Sequence, residues 1–389
     1  MDYLSSYYKD FIISQASNDS VTGAGSAASK FKATTEGRTV AYVSLVVMAV
    51  LPIFYGSFRS IKFHQKQKKA YEETGIRPDI MSKKDAMTFP IIASGTLGGL
   101  YLVITIFSKE YVNYLLSIYF FSLGIIALTT LLMPIFNKIL DGPVGKIDYH
   151  LTFTKKEKTD KKPLDLIDFQ FNTLDIFAFI VSSIIGVWYF MKKHWLANNL
   201  FGIAFACSGI ELLSLNKIGN GCILLIGLFF YDVFWVFGTD VMVTVAQSFE
   251  APIKLMFPQD FIEAGFLGKH FAMLGLGDIV VPGIFIALLL RFDVSLKRKG
   301  SKLYFWTAFI AYILGLILTI VVMTVYNHAQ PALLYLVPAC VLSPLAVALI
   351  KGDLKSMFTY QDHAEEEEKK VKESGKKSSK TNSKDKKDS

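Results

Sequence analysis

Two aspartates lie in otherwise apolar stretches of this 389-residue chain. Asp232 stands inside "LIGLFFYDVFWVFG" (225–238), and Asp278 stands inside "FAMLGLGDIVVPGIFIALLL" (271–290). A carboxylate at the centre of a membrane helix costs about 3 kcal/mol on insertion scales, so its presence needs an offsetting interaction or a use.

Two facing carboxylates in a low-dielectric site have a specific chemistry. Both cannot stay ionised, so the pair shares one proton and titrates as a unit. The ionised member takes a proton from water, the water attacks a peptide carbonyl, and the protonated member stabilises the oxyanion. The two residue types therefore suit an aspartic protease, and the shared proton halves the buried charge.

Small and helix-starting residues accompany the aspartates. Gly275 and Gly277 flank Leu276 just before the second aspartate, and absent Cβ atoms allow close backbone approach. Pro331, in "QPALLYLVPAC", suits a helix start because it lacks an N–H. Since a helix shields its own backbone, a membrane-embedded substrate must unwind before cleavage. We expect these residues to offer hydrogen-bonding partners to an extended substrate segment.

The composition predicts the elements that position these residues. Hydrophobic residues make up 52% of the chain and charged residues 19%, below the roughly 25% of an average soluble domain. Apolar runs near the membrane-spanning length of about 20 residues recur. We therefore predict an all-α polytopic membrane protein with nine transmembrane helices. The predicted spans are 39–58, 88–107, 112–135, 173–191, 195–213, 219–238, 270–290, 303–325 and 331–350.

The predicted sixth and seventh spans place the two aspartates at similar depth. Asp232 is about six residues short of the end of one span, and Asp278 is about eight residues into the other. At 1.5 Å per helical residue, both carboxylates lie about 9–12 Å below the same membrane edge. The spacing predicts that antiparallel neighbouring helices bring them together.

Lysine and arginine set the predicted orientation. The loops at 59–87, 136–172 and 291–302 hold eight, seven and five of them, whereas the alternate loops hold few. The positive-inside rule puts the rich loops in the cytosol, with the amino terminus lumenal and the carboxyl terminus cytosolic. The net charge of +8 therefore reflects topology, and we expect no nucleic-acid partner.

Four segments follow from these patterns. We expect a lumenal tail over 1–37, the first five helices over 38–215, and the catalytic helices six to nine over 216–350. The charged segment 351–389 is expected to be a disordered cytosolic tail.

Two short signals agree with this orientation. "NDS" makes Asn18 a candidate glycosylation site on the lumenal side. The chain ends "KKDS", where Lys386 and Lys387 resemble the dilysine retrieval signal of endoplasmic-reticulum membrane proteins. We therefore predict a glycoprotein of the endoplasmic-reticulum membrane.

Other protease chemistries lack their signatures in the sequence. Cys207, Cys222 and Cys340 lie in apolar runs, which favours small buried residues over a disulfide framework or a zinc site. No HExxH motif and no GxSxG nucleophile turn occurs, which argues against zinc and serine proteases.

Three short motifs carry a family resemblance. "YD" (231–232), "GLGD" (275–278) and "PAL" (331–333) resemble those of the GxGD intramembrane aspartyl proteases in order and in place. Longer runs such as "FEAPIKLMFPQD" are similar to the signal peptide peptidase branch rather than to presenilins, whose orientation is opposite. The resemblance covers about residues 80–355.

The resemblance implies a site and a substrate class. Asp232 and Asp278 would be catalytic, and the substrate-contacting residues would be Tyr231, Gly275, Leu276, Gly277, Pro331, Ala332 and Leu333. The substrates would be signal peptides and type II membrane helices inside the endoplasmic-reticulum bilayer, with water as co-substrate. No metal and no cofactor is implied. A homo-oligomer or quality-control proteins of the same membrane are the expected further partners.

Two other function classes fit paired intramembrane carboxylates. A proton-coupled transporter or channel would also place them at mid-depth, but it predicts internal repeats, and we find none in the sequence. A non-catalytic adaptor that holds unfolded membrane proteins is the second alternative. Ion flux tests the transporter, and cleavage of a labelled membrane peptide separates an enzyme from an adaptor.

The charge bias makes a topology prediction. A protease added outside intact microsomes should remove the chain after about residue 355, and endoglycosidase should lower the apparent mass through Asn18. Immunoblotting with antibodies to each terminus measures both. An amino terminus that is clipped while the tail stays protected would invert the map.

Overall fold

The computed structural model describes residues 34–74, 80–139, 147–155, 164–239, 241–249, 251–296, 298, 301–326 and 330–362. The helices are α1 (Thr35–Thr74), α2 (Lys83–Ile106), α3 (Lys109–Ile139), α4 (Thr173–Lys192), α5 (Trp195–Leu212), α6 (Ile218–Phe237), α7 (Val241–Ser248), α8 (Phe261–Ala264), α9 (Gly277–Ser295), α10 (Leu303–Tyr326), α11 (Leu333–Lys351) and α12 (Leu354–Thr359). The strands are β1 (Asp148–Lys155), β2 (Leu164–Asn172), β3 (Lys254–Pro258) and β4 (Phe271–Gly275). The predicted signals at Asn18, Lys386 and Lys387 lie outside the described residues.

The predicted fold class, an all-α polytopic membrane protein, is confirmed. Within the described part of the chain, seven helices are long and apolar enough to cross a bilayer: α1, α2, α3, α4, α6, α10 and α11. Helices α5 and α9 occupy the fifth and seventh predicted spans but fall outside that group. The count of nine spans therefore stays a prediction.

The predicted seventh span, 270–290, is wrong at its start. Its first residues form β4, which pairs antiparallel with β3 from Lys254↔Gly275 to Pro258↔Phe271. The helix begins only at Gly277, so Asp278 is its second residue and not its ninth. The predicted depth of Asp278 assumed 1.5 Å per residue from residue 270. That depth is wrong because residues 271–275 form a strand, which rises about 3.3 Å per residue.

Local side-chain chemistry fixes where helices begin and end. The Asn172 side chain accepts the Asp175 N–H (2.9 Å), and the Asp175 carboxylate accepts the Asn172 N–H (3.0 Å). This reciprocal capping box starts α4. Helix α11 ends at Lys351, and its C-cap Gly352 has a φ of 73°, a left-handed conformation that glycine adopts without strain.

The chain forms two compact units that interleave along the sequence. The first unit contains the described residues of Met1–Tyr55, Leu97–Gly209 and Asp240–Val280, and the predicted division at 215 stays a prediction. Its core includes Leu128 and Phe201. A Cβ added at Gly124 on α3 would lie only 2.9 Å from the Phe201 ring, so the glycine permits this packing.

The second unit contains the described residues of Gly56–Thr96, Ile210–Thr239 and Val281–Ser389. Asp293, near the end of α9, caps the next helix: its carboxylate accepts the N–H groups of Tyr304 (3.3 Å) and Phe305 (2.8 Å). The first N–H groups of a helix have no partner within it, so this carboxylate fixes the start of α10.

The folded part of the chain continues past residue 350. Helix α12 follows α11, and Met357 on it is fully buried. Asp362 ends the described segment with an ion pair to Arg291 (2.6 Å). The expected disordered tail over 351–389 therefore begins too early, because buried apolar and paired charged groups hold residues 351–362.

Asp353 joins three elements of the second unit. It accepts hydrogen bonds from both terminal nitrogens of Arg298 (2.6 and 2.8 Å) and from the Tyr304 hydroxyl (2.7 Å). The Arg298 hydrogen bonds, followed by the Tyr304 hydrogen bond, lower the pKa of Asp353 to about 2. The carboxylate therefore stabilises the fold in its ionised form.

This lowered pKa predicts a pH-dependent stability difference. Replacing Asp353→Asn should lower the thermal unfolding temperature at pH 7. Because the folded pKa lies below the unfolded value of about 3.9, the carboxylate's contribution is complete above that value and is lost as the pH falls through about 2. Thermal unfolding in detergent should show the gap to wild type closing below pH 4. The exposed control Glu263→Gln should show no such gap, and an Asp353→Asn gap unchanged down to pH 2 would contradict the assignment.

Candidate active site

Asp232 is buried on α6 and binds the start of α11. Its side chain is 4% exposed, and its Oδ2 accepts the Leu333 N–H at 3.0 Å. Leu333 is the first residue of α11, so this N–H has no partner within the helix. The carboxylate supplies that partner, and the positive end of the helix dipole offsets part of its burial cost. The "YD" and "PAL" motifs are therefore in direct contact within the second unit.

The other predicted residues of this unit surround that hydrogen bond. Pro331 is buried and Ala332 is the N-cap of α11, so the proline precedes the helix by two residues. The Pro331 carbonyl accepts the Leu334 N–H (3.2 Å). Tyr231 is half-buried, with its ring centroid 6.4 Å from that of Trp235. A contact between these residues and the substrate stays a prediction.

Asp278 follows a junction between sheet and helix in the first unit. The Leu276 N–H donates to the Ile253 carbonyl (2.9 Å), which continues the β3–β4 ladder. The Leu276 carbonyl accepts the N–H groups of Ile279 (3.1 Å) and Val280 (2.8 Å), which begins α9. One residue thus ends the sheet and starts the helix that carries Asp278.

The two glycines of "GLGD" have different surroundings. A Cβ added at Gly275 would lie 3.4 Å from Oδ2 of Asp278, so this glycine leaves the carboxylate room. Gly277 is exposed, and no atom within 4 Å of its added Cβ is found among the described residues. The open space at Gly277 is therefore available to another molecule.

The structure brings together two groups of predicted residues, one in each unit. Asp232 meets Leu333 in the second unit, and Gly275 meets Asp278 in the first. That the two aspartates face each other stays a prediction. Among the residues that the structure describes, no group of three or more His, Cys, Asp or Glu side chains is placed to hold a metal ion.

The hairpin β3–β4 was missed by the sequence analysis. Its signals were present: Pro258 ends β3 and Gly268 lies between the strands, and such residues mark turns between short apolar segments. A second missed feature is the pair Asn198–Asn199, which is polar within an apolar predicted span. Both asparagines are buried and bind the backbone of β3.

Comparison with known proteins decides the family. A family model described as signal peptide peptidase matches residues 67–364, which is most of the chain. The chain belongs to the signal peptide peptidase family. It is 56% identical over 329 residues to human signal peptide peptidase and 55% identical to the mouse protein, covering 85% of each chain in both cases. A probable intramembrane protease of Schizosaccharomyces pombe is 35% identical over 304 residues, covering 77% of this chain and 90% of its own.

This membership confirms the resemblance inferred from the three motifs. The matched region contains all of them and extends from within α1 to just past Asp362. It therefore includes the Asp232–Leu333 contact and the β3–β4–α9 junction.

The open space at Gly277 makes a testable distinction. Gly277→Val should leave the thermal unfolding temperature within about 2 °C of wild type, because a Cβ added there has no atom within 4 Å from the described residues beyond its neighbours along the chain. Cleavage of a labelled signal peptide should nevertheless fall at least about tenfold, because close substrate approach is blocked. Gly98→Val on α2, which is also free of neighbours within 4 Å, is the matched control and should keep full activity. Wild-type cleavage by Gly277→Val would remove the close-approach role.

Proposed function

We propose that the chain is an intramembrane aspartyl endopeptidase that cleaves signal peptides and type II membrane helices. Asp232 and Asp278 are its catalytic pair. The observation that carries the proposal is family membership together with the Asp232–Leu333 hydrogen bond, which joins two of the three family motifs at a buried carboxylate. The relatives named signal peptide peptidase supply the substrate class.

The proposed reaction uses the pair as one acid and one base. The ionised carboxylate removes a proton from water, and the water oxygen bonds to the carbonyl carbon of the scissile peptide. The other aspartate, protonated, donates to the carbonyl oxygen and stabilises the tetrahedral intermediate. When the C–N bond breaks, the leaving nitrogen receives a proton from the pair, and the products are a carboxylate and an amine. Either aspartate can fill either role.

Among the described strands, β4 pairs only with β3, and its opposite edge supports binding of an extended substrate. The backbone of Met256 points away from β4, toward Asn199, so Met256 and Met273 form a non-hydrogen-bonded pair. By the alternation of the strand, Met273 and Gly275 both direct N–H and C=O away from β3. An unwound substrate segment could pair with these groups as an added strand. This edge ends three residues before Asp278, which supports substrate contacts at Gly275, Leu276 and Gly277.

The cellular setting belongs to the same proposal. The lysine and arginine bias supports a lumenal amino terminus and a cytosolic carboxyl terminus, and Lys386–Lys387 support residence in the endoplasmic-reticulum membrane. Glycosylation at Asn18 and assembly into a homo-oligomer or with quality-control proteins are further parts of the proposal.

The decisive experiment replaces each aspartate by asparagine. Asp232→Asn keeps an oxygen that can accept the Leu333 N–H, so the contact survives while the acid–base function is lost. Purified Asp232→Asn and Asp278→Asn should each lose at least about 10³-fold in cleavage of a labelled signal peptide. The double variant should lose little more, because the pair acts as a unit.

The same substitution elsewhere provides the control. Asp175→Asn, in the capping box of α4, should keep cleavage within about twofold of wild type, since a capping residue contributes about 1 kcal/mol to stability and has no part in chemistry. Substantial turnover by either catalytic variant would reject the aspartyl mechanism. Proton flux without cleavage by the wild type would favour a transporter.

A further inference from the structure

One face of α5 lies against the segment that leads to Asp278. Asn199, Gly202 and Gly209 are spaced by three and seven residues, which places them on the same side of the helix. All three contact the hairpin β3–β4 or the first turn of α9, and all these residues belong to the first unit.

Asn199 binds β3 as a neighbouring strand would. Its side-chain nitrogen donates to the Met256 carbonyl at 2.6 Å, and its side-chain oxygen accepts the Met256 N–H at 2.8 Å. A carboxamide thus occupies both backbone groups of one strand residue. Asn198 adds a donor to the Lys254 carbonyl at 2.8 Å. These carboxamides cover the edge of β3 that faces away from β4.

The Asn199 side chain is held in one orientation. It is 2% exposed, its nitrogen also lies 3.6 Å from the Met48 sulfur, and its oxygen lies 3.5 Å from the side-chain nitrogen of Asn198. In every contact the amide nitrogen donates and the amide oxygen accepts. A rotation that exchanged the two atoms would therefore lose several hydrogen bonds. The backbone N–H and C=O of the half-buried Met256 would be left without these partners if the carboxamide were removed.

Two glycines bring the same helix close to the hairpin and to α9. A Cβ at Gly202 would lie 2.8 Å from Leu255 and 3.6 Å from Leu276, and a Cβ at Gly209 would lie 3.0 Å from Val280. Leu276 and Val280 flank Asp278 on either side. The helix therefore contacts the chain both before and after the carboxylate.

We propose that Asn199 is a positioning residue for Asp278. It fixes β3 against α5, β3 fixes β4 through their ladder, and the Leu276 junction transmits this placement to the first turn of α9. Loss of the anchor lets β3 shift along or away from α5, and the carboxylate moves with the hairpin. The inference rests on the proposed catalytic role of Asp278. It adds to the proposed site Asn199 on α5, which lies two predicted spans before Asp278 in the sequence.

The first variant removes the hydrogen bonds while keeping the number and branching of the side-chain heavy atoms. Purified Asn199→Leu should lose about 10- to 100-fold in kcat, because a displacement near 1 Å at a reacting group has an effect of that size. Hydrogen–deuterium exchange should speed up in peptides covering 253–276 and stay at the wild-type rate in α11. The control Asn113→Leu removes an asparagine that donates to the Ser248 carbonyl (2.9 Å) in the same unit. It should change neither kcat nor the exchange of 253–276.

The second variant gives a signature that a space-filling role cannot produce. In Asn199→Asp, a protonated carboxyl can replace both hydrogen bonds, whereas an ionised one cannot donate to the Met256 carbonyl. The ratio of variant to wild-type kcat should therefore approach one at low pH and fall as the pH rises. Taking the ratio at each pH cancels the titration of the catalytic pair.

The outcomes separate this proposal from the proposed function. Wild-type kcat and exchange in Asn199→Leu, or a ratio for Asn199→Asp that does not vary with pH, would overturn the positioning role. If Asn199→Leu fails to fold, the Asn199→Asp ratio decides. A wild-type protein that folds but cleaves nothing would reject the protease, and with it a role in catalysis, whereas the exchange of 253–276 would still show whether Asn199 anchors the hairpin.

Discussion

The structure depends on one constraint: a bilayer offers no water to a backbone that leaves the helix, so every freed N–H and C=O needs a protein partner. Both proposed catalytic aspartates lie where the backbone departs from a continuous helix. Asp278 follows the strand–helix junction at Leu276, and Asp232 lies against the unwound segment before Leu333. Catalysis on a membrane helix requires such irregular backbone, and the protein must first stabilise its own.

Side-chain oxygens and amides meet this requirement in a recurring way. Asp232 accepts the first N–H of α11, Asp293 accepts the first N–H groups of α10, and Asn199 pairs with both backbone groups of Met256. A polar side chain and a backbone group are each costly to bury without a hydrogen-bond partner. In each of these cases, the two groups supply that partner to each other. Asp232 and Asp293 are both tolerated in apolar surroundings for the same reason, since each carboxylate accepts N–H groups at the start of a helix. The difference is that only Asp232 belongs to a family motif.

The sequence predicted the helices well where a single physical rule controls them. Length and apolarity located α10 and α11 within a few residues, since a spanning helix satisfies its own backbone. The hairpin before Asp278 was not predictable in the same way, because an apolar strand of five residues and an apolar helical turn have the same composition. The Asp232–Leu333 contact was also beyond the sequence, since hydrogen bonds between residues 101 positions apart depend on tertiary packing. The motifs identified which residues matter, and the structure identified the backbone groups that they bind.

A substrate brings the same constraint into the site. Once its helix unwinds near the scissile bond, its own N–H and C=O groups lose their partners, and the enzyme must replace them or the unwound state stays too costly to populate. The strand β4 has one edge committed to β3 and the other at Met273 and Gly275 directed outward, and Asn199 fixes that arrangement from the far side of β3. In the proposed mechanism, the freed substrate backbone therefore meets a strand edge that is rigid before it arrives. Preorganisation of this kind lowers the cost of binding an extended segment, because the enzyme's strand loses no further conformational freedom. The anchor on α5 and the carboxylate on α9 then serve one purpose, which is to offer unwound backbone a fixed partner beside the group that cleaves it.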